Sequence, residues 1–309
     1  MKKPEILTTA RSMDELKRVL AAGADAVIIG ESRWGMRLPG DFLISDIGDA
    51  LQIAREFQAK IYVSVNKIMD NEDVRELPDY LDALIRTGAD AIIFGDPALL
   101  GAYRKLSSKL ALHWNAEMTS TNYAAANYWA ARGASRVVLA RELNMEQVID
   151  FKKNAKLEVQ VQVHGATNIY HSRRNLIHSY LDHREGSRPQ LDFGQDQGLY
   201  LVEAERLELS HPVFEDKNGT HIMSADDICM LDCLPELIDG GVDSIKLEGL
   251  IKSIEYNETV VRAYRNAVDA YTASPEHYKM DPEWLLSIER LQDPKRELTY
   301  GFFYKEQVY

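Results

Sequence analysis

Cysteine is scarce in this chain: Cys229 and Cys233 are the only two in 309 residues. That excludes a disulfide framework and suits a reducing compartment. No apolar run approaches 18 residues, which excludes an evident transmembrane helix. The N-terminus, MKKPEILTTA, passes from two lysines into a polar, strand-like segment without an apolar signal region. A cytoplasmic location with no membrane association is therefore expected. Positive charge is also in deficit, with 36 Lys and Arg against 48 Asp and Glu and a net charge of -12. Bulk electrostatic binding to nucleic acid is excluded, and any RNA contact has to use a local basic patch. No Gly-x-Gly-x-x-Gly follows the first strand, and neither His-Glu-x-x-His nor Gly-x-Ser-x-Gly occurs.

What is present is a repeat. Ala22-Gly23-Ala24-Asp25-Ala26-Val27-Ile28-Ile29-Gly30 returns as Thr87-Gly88-Ala89-Asp90-Ala91-Ile92-Ile93-Phe94-Gly95, with looser copies at 132–139 and 240–247. Each copy follows an amphipathic segment. A glycine in the left-handed conformation closes a helix, and the apolar run after it reads as a buried parallel strand. Further strands are expected at 5–8, 60–65, 111–115 and 158–164, giving eight. Eight strands alternating with helices predict an α/β fold of the (β/α)8 TIM type over 1–273. The regularity breaks after the seventh strand, where 165–224 form a β-rich insertion with a turn at Lys217-Asn218-Gly219. An insertion there belongs over the barrel mouth. Residues 274–309 are left as a short C-terminal extension.

In such barrels the C-terminal strand ends face the pocket. Read in order, these ends give Thr8, Thr9, Glu31, Asn66, Asp96, Asn115, Glu117, Arg141, Glu142, His164, Lys246 and Glu248. The expected catalytic set is His164, Glu142 and Glu117. The expected substrate-binding set is Arg37, Asn115, Arg141, Lys246 and Glu248, and no metal site is expected. The best basic patch is 171–188, where Arg173 and Arg174 are the candidate RNA contacts.

Several stretches resemble one family. The strand ending in His164-Gly165-Ala166, the loop from Glu31 through Arg37 to Phe42, Arg141-Glu142-Leu143, Ser224 through Cys229, Asp243 through Ser253, and Thr299-Tyr300-Gly301-Phe302 occur in its order. Together they are similar to the collagenase-like peptidases of family U-thirty-two, along nearly the whole chain. The resemblance implies oxygen-independent hydroxylation of RNA bases, by relatives that hold an iron-sulfur cluster on four cysteines and, for tRNA uridine, draw on prephenate. By that motif the first two ligand positions here are Asn168 and Asn175, the insertion supplies no third cysteine, and the fourth is Cys229. Such a cluster requires four thiolates, so this chain is expected to bind none.

The leading expectation is a subunit of a tRNA wobble-uridine 5-hydroxylation system, with a cluster-bearing paralogue and tRNA as partners and prephenate as co-substrate. Arg141, Arg37 and Lys246 would pair with its two carboxylates. One alternative is a collagenase-like peptidase, a hydrolase using His164, Glu117, Glu142 and Glu248 around a metal. Another is a scaffold without chemistry.

Overall fold

The computed structural model describes residues 2–106, 109–115, 121–185 and 192–306. Eight parallel strands close into a ring: β1 (Glu5–Thr9), β2 (Ala26–Ile29), β3 (Lys60–Val65), β4 (Ala91–Phe94), β5 (Ala111–Asn115), β6 (Ala134–Val138), β7 (Glu158–Ser172) and, after three lid strands, β11 (Ser244–Leu247). β11 pairs in parallel with both β7 and β1, which closes the barrel. Helices α1 (Met13–Ala21), α2 (Ile44–Glu56), α3 (Asn71–Thr87), α4 (Pro97–Tyr103), α5 (Tyr123–Ala130) and α6 (Met145–Asn154) connect the first seven strands, and α8 (Leu234–Asp239) leads into β11. No helix among the described residues is long and apolar enough to cross a membrane.

The repeat has a physical job. Its four glycines, Gly23, Gly88, Gly133 and Gly241, all adopt positive φ, between 76° and 110°. The aspartate that follows in three copies then clamps a neighbouring strand at two points. The Asp25 carboxylate accepts from Ile6 N, Asp90 from Ile61 N and Asp243 from Val159 N, at 2.8, 2.8 and 2.9 Å. The same three residues donate their backbone N–H to the carbonyls of Ile6, Ile61 and Val159. Each repeat thus sets the register of one strand pair. In the loose copy Ser135 Oγ instead donates to Leu112 O.

The barrel interior is divided. Leu7, Ala26, Ile28, Tyr62, Ala91 and Ile93 fill one side with apolar volume. On the other side buried polar groups come from β5, β6, β7 and β11: His113, Arg136, Gln160, Gln162 and Lys246. At the N-terminal end Arg136 pairs with Glu5 and Glu158, and Tyr62 and Ser244 donate to Glu5. Conserving charge balance there closes the floor, because a buried ion needs a partner. The larger apolar core lies between the strands and the helices.

β7 does not stop at His164. It continues to Ser172, leaves the barrel and pairs antiparallel with β10 (Gly219–Cys229). β9 (Arg206–Asp216) pairs with β10, and β8 (Tyr200–Glu203) with β9. With α7 (Leu176–Glu185) these strands form the lid, and Lys217 and Asn218 make the expected turn. Gly165 permits the exit from the barrel: its φ is 89°, and a Cβ there would lie 2.3 Å from Glu248 O. After α9 (Ile254–Ala273) the C-terminal extension folds as α10 (Pro282–Glu289) and β12 (Leu298–Thr299). β12 adds to β10 in parallel.

Candidate functional site

The C-terminal ends of the strands surround one polar cavity. Thr9, Met36, Arg37, Leu38, Ser64, Asn66, Asn115, Arg141, Gln160, Lys246 and Glu248 line it, with Ile28, Ile93 and Val138 beneath. Five of the side chains expected to bind substrate, Arg37, Asn115, Arg141, Lys246 and Glu248, therefore meet there. Three cations face one carboxylate. Lys246 Nζ donates to Glu248 Oε2 at 2.7 Å, and Glu248 Oε1 accepts from Leu250 N at 3.1 Å. Arg141 Nη1 donates to the backbone carbonyl of Asn168 at 3.3 Å, tying the mouth to the lid. Such a pocket favours a dianion of modest size, because guanidinium forks pair with carboxylates.

A loop covers the cavity. Arg37 sits in the left-handed region with φ 56°, an uncommon setting for a residue with a long side chain. Asn66 Oδ1 accepts from Met36 N at 2.7 Å, and Gln195 of the lid donates to Leu38 O at 2.8 Å. The space left is about 30 Å³, room for about one ordered water.

Gln160 and Ser64 were not legible as site residues from strand-end reading. Gln160 is buried, with an Oε1 that has no partner among the described residues. Its signal was available: Gln160 and Gln162 alternate with the valines of β7, and residues two apart share a face.

His164 stands apart from the cavity. Strict alternation would turn it inward with Gln160 and Gln162, but the β7–β11 register slips between Lys246 and Leu247. An extra residue in one strand reverses the side-chain direction beyond it. His164 therefore faces α9, where Nε2 lies 2.9 Å from Tyr256 Oη and the ring packs edge-on to Tyr264. Burial pushes its pKa down to about 3, so the imidazole is neutral. Its register partner Cys229 is also buried, 3.9 Å from Tyr264 Oη, and burial pushes the thiol up to about 11. A neutral imidazole and a protonated thiol do not make an activated nucleophile.

The other expected site residues are scattered. Glu142 is exposed beside Arg141, and Glu117 lies outside the described residues. Asp96 caps α4 and accepts from Met69 N. Arg173 pairs with Asp70 at 3.0 Å, while Arg174 is exposed nearby. No group of three His, Cys, Asp or Glu among the described residues could hold a metal ion. For an iron-sulfur cluster the donors do not fit: Asn168 and Asn175 are neutral, hard groups, and Cys229 is a buried thiol.

Among curated proteins the chain is 44% identical to tRNA hydroxylation protein P2 of Bacillus subtilis (strain 168), covering 100% of both chains. It is 32% identical to tRNA hydroxylation protein P1 of the same strain, over 100% of this chain and 74% of that one. Among solved structures the U32 peptidase Mk0906 aligns at 16% identity and a TM-score of 0.45, over 53% of this chain and 70% of that one. A model of peptidase family U32 matches residues 11–308. With all of the barrel except β1, the lid and the C-terminal extension inside that match, the chain belongs to peptidase family U32.

Proposed function

We propose that this chain is a subunit of a tRNA hydroxylation system, acting at the wobble uridine. The observation that carries the reading is the end-to-end likeness to a tRNA hydroxylation protein P2. Because P1 and P2 occur in one Bacillus subtilis strain, a paralogue is the natural partner. That paralogue would carry the iron-sulfur cluster and the redox chemistry. This chain, without a thiolate set, would hold none and would supply substrate positioning, where orientation alone can remove several kcal/mol of a barrier.

The mouth cavity gives that role a chemistry. Arg37, Arg141 and Lys246 converge on a space beside the 36–38 loop, which Gln195 of the lid holds at Leu38 O, and prephenate, with two carboxylates, is the co-substrate they suit. Asn115 and Glu248 would orient its hydroxyl, and Glu142, at the rim, remains a candidate acid or base. His164, neutral and packed against two tyrosines, serves the lid joint instead. Peptide hydrolysis finds no support at the mouth, since neither a histidine nor a cysteine is among the described residues that line the cavity.

Deletion of the gene should lower 5-hydroxyuridine derivatives in bulk tRNA, with restoration by the wild type and failure by Arg141→Ala. Nucleoside mass spectrometry reads the result. Normal hydroxyuridine in the deletion strain would overturn the reading, and His164-dependent gelatin hydrolysis by the pure protein would install the peptidase in its place.

A further inference from the structure

A second cavity, of about 110 Å³, lies at the seam between lid and barrel. Met36, Lys67, Ile68, His171, Arg173, Lys217 and Asn218 line it. The Lys and Arg in this lining come from three separate places: the loop after β3, the segment between β7 and α7, and the turn between β9 and β10. No carboxylate lines it, which is unusual in a chain of net charge -12. The counterions stand behind: Lys67 bonds Asp73 at 2.8 Å, Arg173 bonds Asp70 at 3.0 Å, and Lys217 lies 3.8 Å from Asp41. Arg173 and Lys217 are more than half exposed. Exposed pairs of that kind are weak and yield to a better anion. The turn itself is fixed, since Asn218 Nδ2 donates to the carbonyls of Ser32 and Gly35, and His171 Nε2 donates to Asn218 O.

We propose that this seam cavity is a phosphate subsite for an RNA backbone, formed by Lys67, Arg173 and Lys217. The proposal rests on the tRNA reading above and adds where the strand lies. Met36 lines both this cavity and the barrel mouth, so a phosphate held here sets its own nucleotide at the rim of the mouth. At about 110 Å³ the cavity has room for one phosphate and a bridging water. The lid exposes Tyr170 and Tyr180, and exposed aromatics are the side chains on which unpaired bases stack. A local patch of this kind answers the constraint set by the acidic composition: phosphate contacts position a strand without requiring a basic protein.

The test is binding of an anticodon stem-loop RNA across a salt series, for the chain alone and with its paralogue. Arg173→Gln/Lys217→Gln is compared with Lys105→Gln/Lys153→Gln, two exposed lysines near the C-terminal ends of α4 and α6. Removing two phosphate contacts should lower the slope of log affinity against log salt by about 1.4 and weaken binding at low salt about tenfold, while the control pair leaves both unchanged. Equal folding of the variants is checked by denaturation, and each is scored for restoring tRNA hydroxylation in a deletion strain. Wild-type slope, affinity and restoration in Arg173→Gln/Lys217→Gln would overturn the subsite and leave the tRNA reading standing. Loss of paralogue binding with RNA affinity intact would also overturn it, making the seam a protein contact. If instead the deletion strain keeps normal hydroxyuridine, the tRNA reading itself fails.

Discussion

Arg296 Nη2 donates to Asp227 Oδ1 at 2.6 Å in a place sealed from solvent, the two side chains being 2% and 0% exposed. Asp227 also accepts from Lys252 and from Gln292, and Arg296 reaches the Ser224 carbonyl at 2.9 Å. One lid strand, the loop before α9 and the C-terminal extension are thus joined through a single carboxylate. Burial works against its charge, but Lys252 and Arg296 outweigh it and hold the Asp227 carboxyl well below the usual range.

Arg296→Ala should therefore cost roughly 3 kcal/mol, because it strands buried charge that had been paired. Urea denaturation measures the loss, and limited proteolysis should show early cleavage within 290–306. A variant within 0.5 kcal/mol of wild type would mean that water or a neighbour replaces the guanidinium.

His164 predicts a pH dependence. Its folded pKa lies below the unfolded value of about 6.5, so the unfolded chain takes up this proton first. The stabilisation is complete above that value and declines as pH falls toward the folded pKa of about 3. Each such group contributes up to about 1.4 kcal/mol per pH unit. His113, also held low by burial, acts with the same sign. His164→Gln, which can still bond Tyr256, should flatten the fall in urea midpoint between pH 6.5 and 5 without abolishing it. An unaltered profile would show that His164 does not enter the transition as a buried neutral group.

The barrel was legible because its signal is local. Gly23, Gly88, Gly133 and Gly241 mark helix ends by a backbone need no other residue meets as cheaply, and the apolar runs after them have the length of buried strands. The mouth was half legible: strand ends gave Asn115, Arg141, Lys246 and Glu248, and the loop gave Arg37. His164 was misplaced because a one-residue slip between β7 and β11 is invisible in the sequence of either strand. The role of Asp227 was hidden for a different reason. Its partners Lys252 and Arg296 lie 25 and 69 residues away, and no periodicity reports a contact of that separation.

The thiolate count leads to a direct assay. Asn168 and Asn175 cannot replace soft, charged ligands, and burial keeps Cys229 protonated at neutral pH. The chain purified without oxygen should be colourless, with no stoichiometric iron. One iron or more per chain, with charge-transfer absorbance in the visible, would contradict this.

The mouth itself can be tested with prephenate. Three cations against one carboxylate favour a dianion, and the charge-assisted bonds that Arg141 can form should make Arg141→Ala cost on the order of 2 kcal/mol in affinity. Lys246→Ala should cost at least as much, since Lys246 bonds Glu248 at 2.7 Å and its removal leaves that carboxylate as a repulsive group. The narrow cavity of about 30 Å³ adds a kinetic expectation. Entry requires the loop at 36–38 to lift, and Gln195→Ala, by cutting the lid's bond to Leu38 O, should quicken association more than it alters the complex. Calorimetry gives the affinities and stopped-flow the rates. Unchanged affinity in both Arg141→Ala and Lys246→Ala would remove them from the site, and no binding by the wild type would leave the barrel a scaffold.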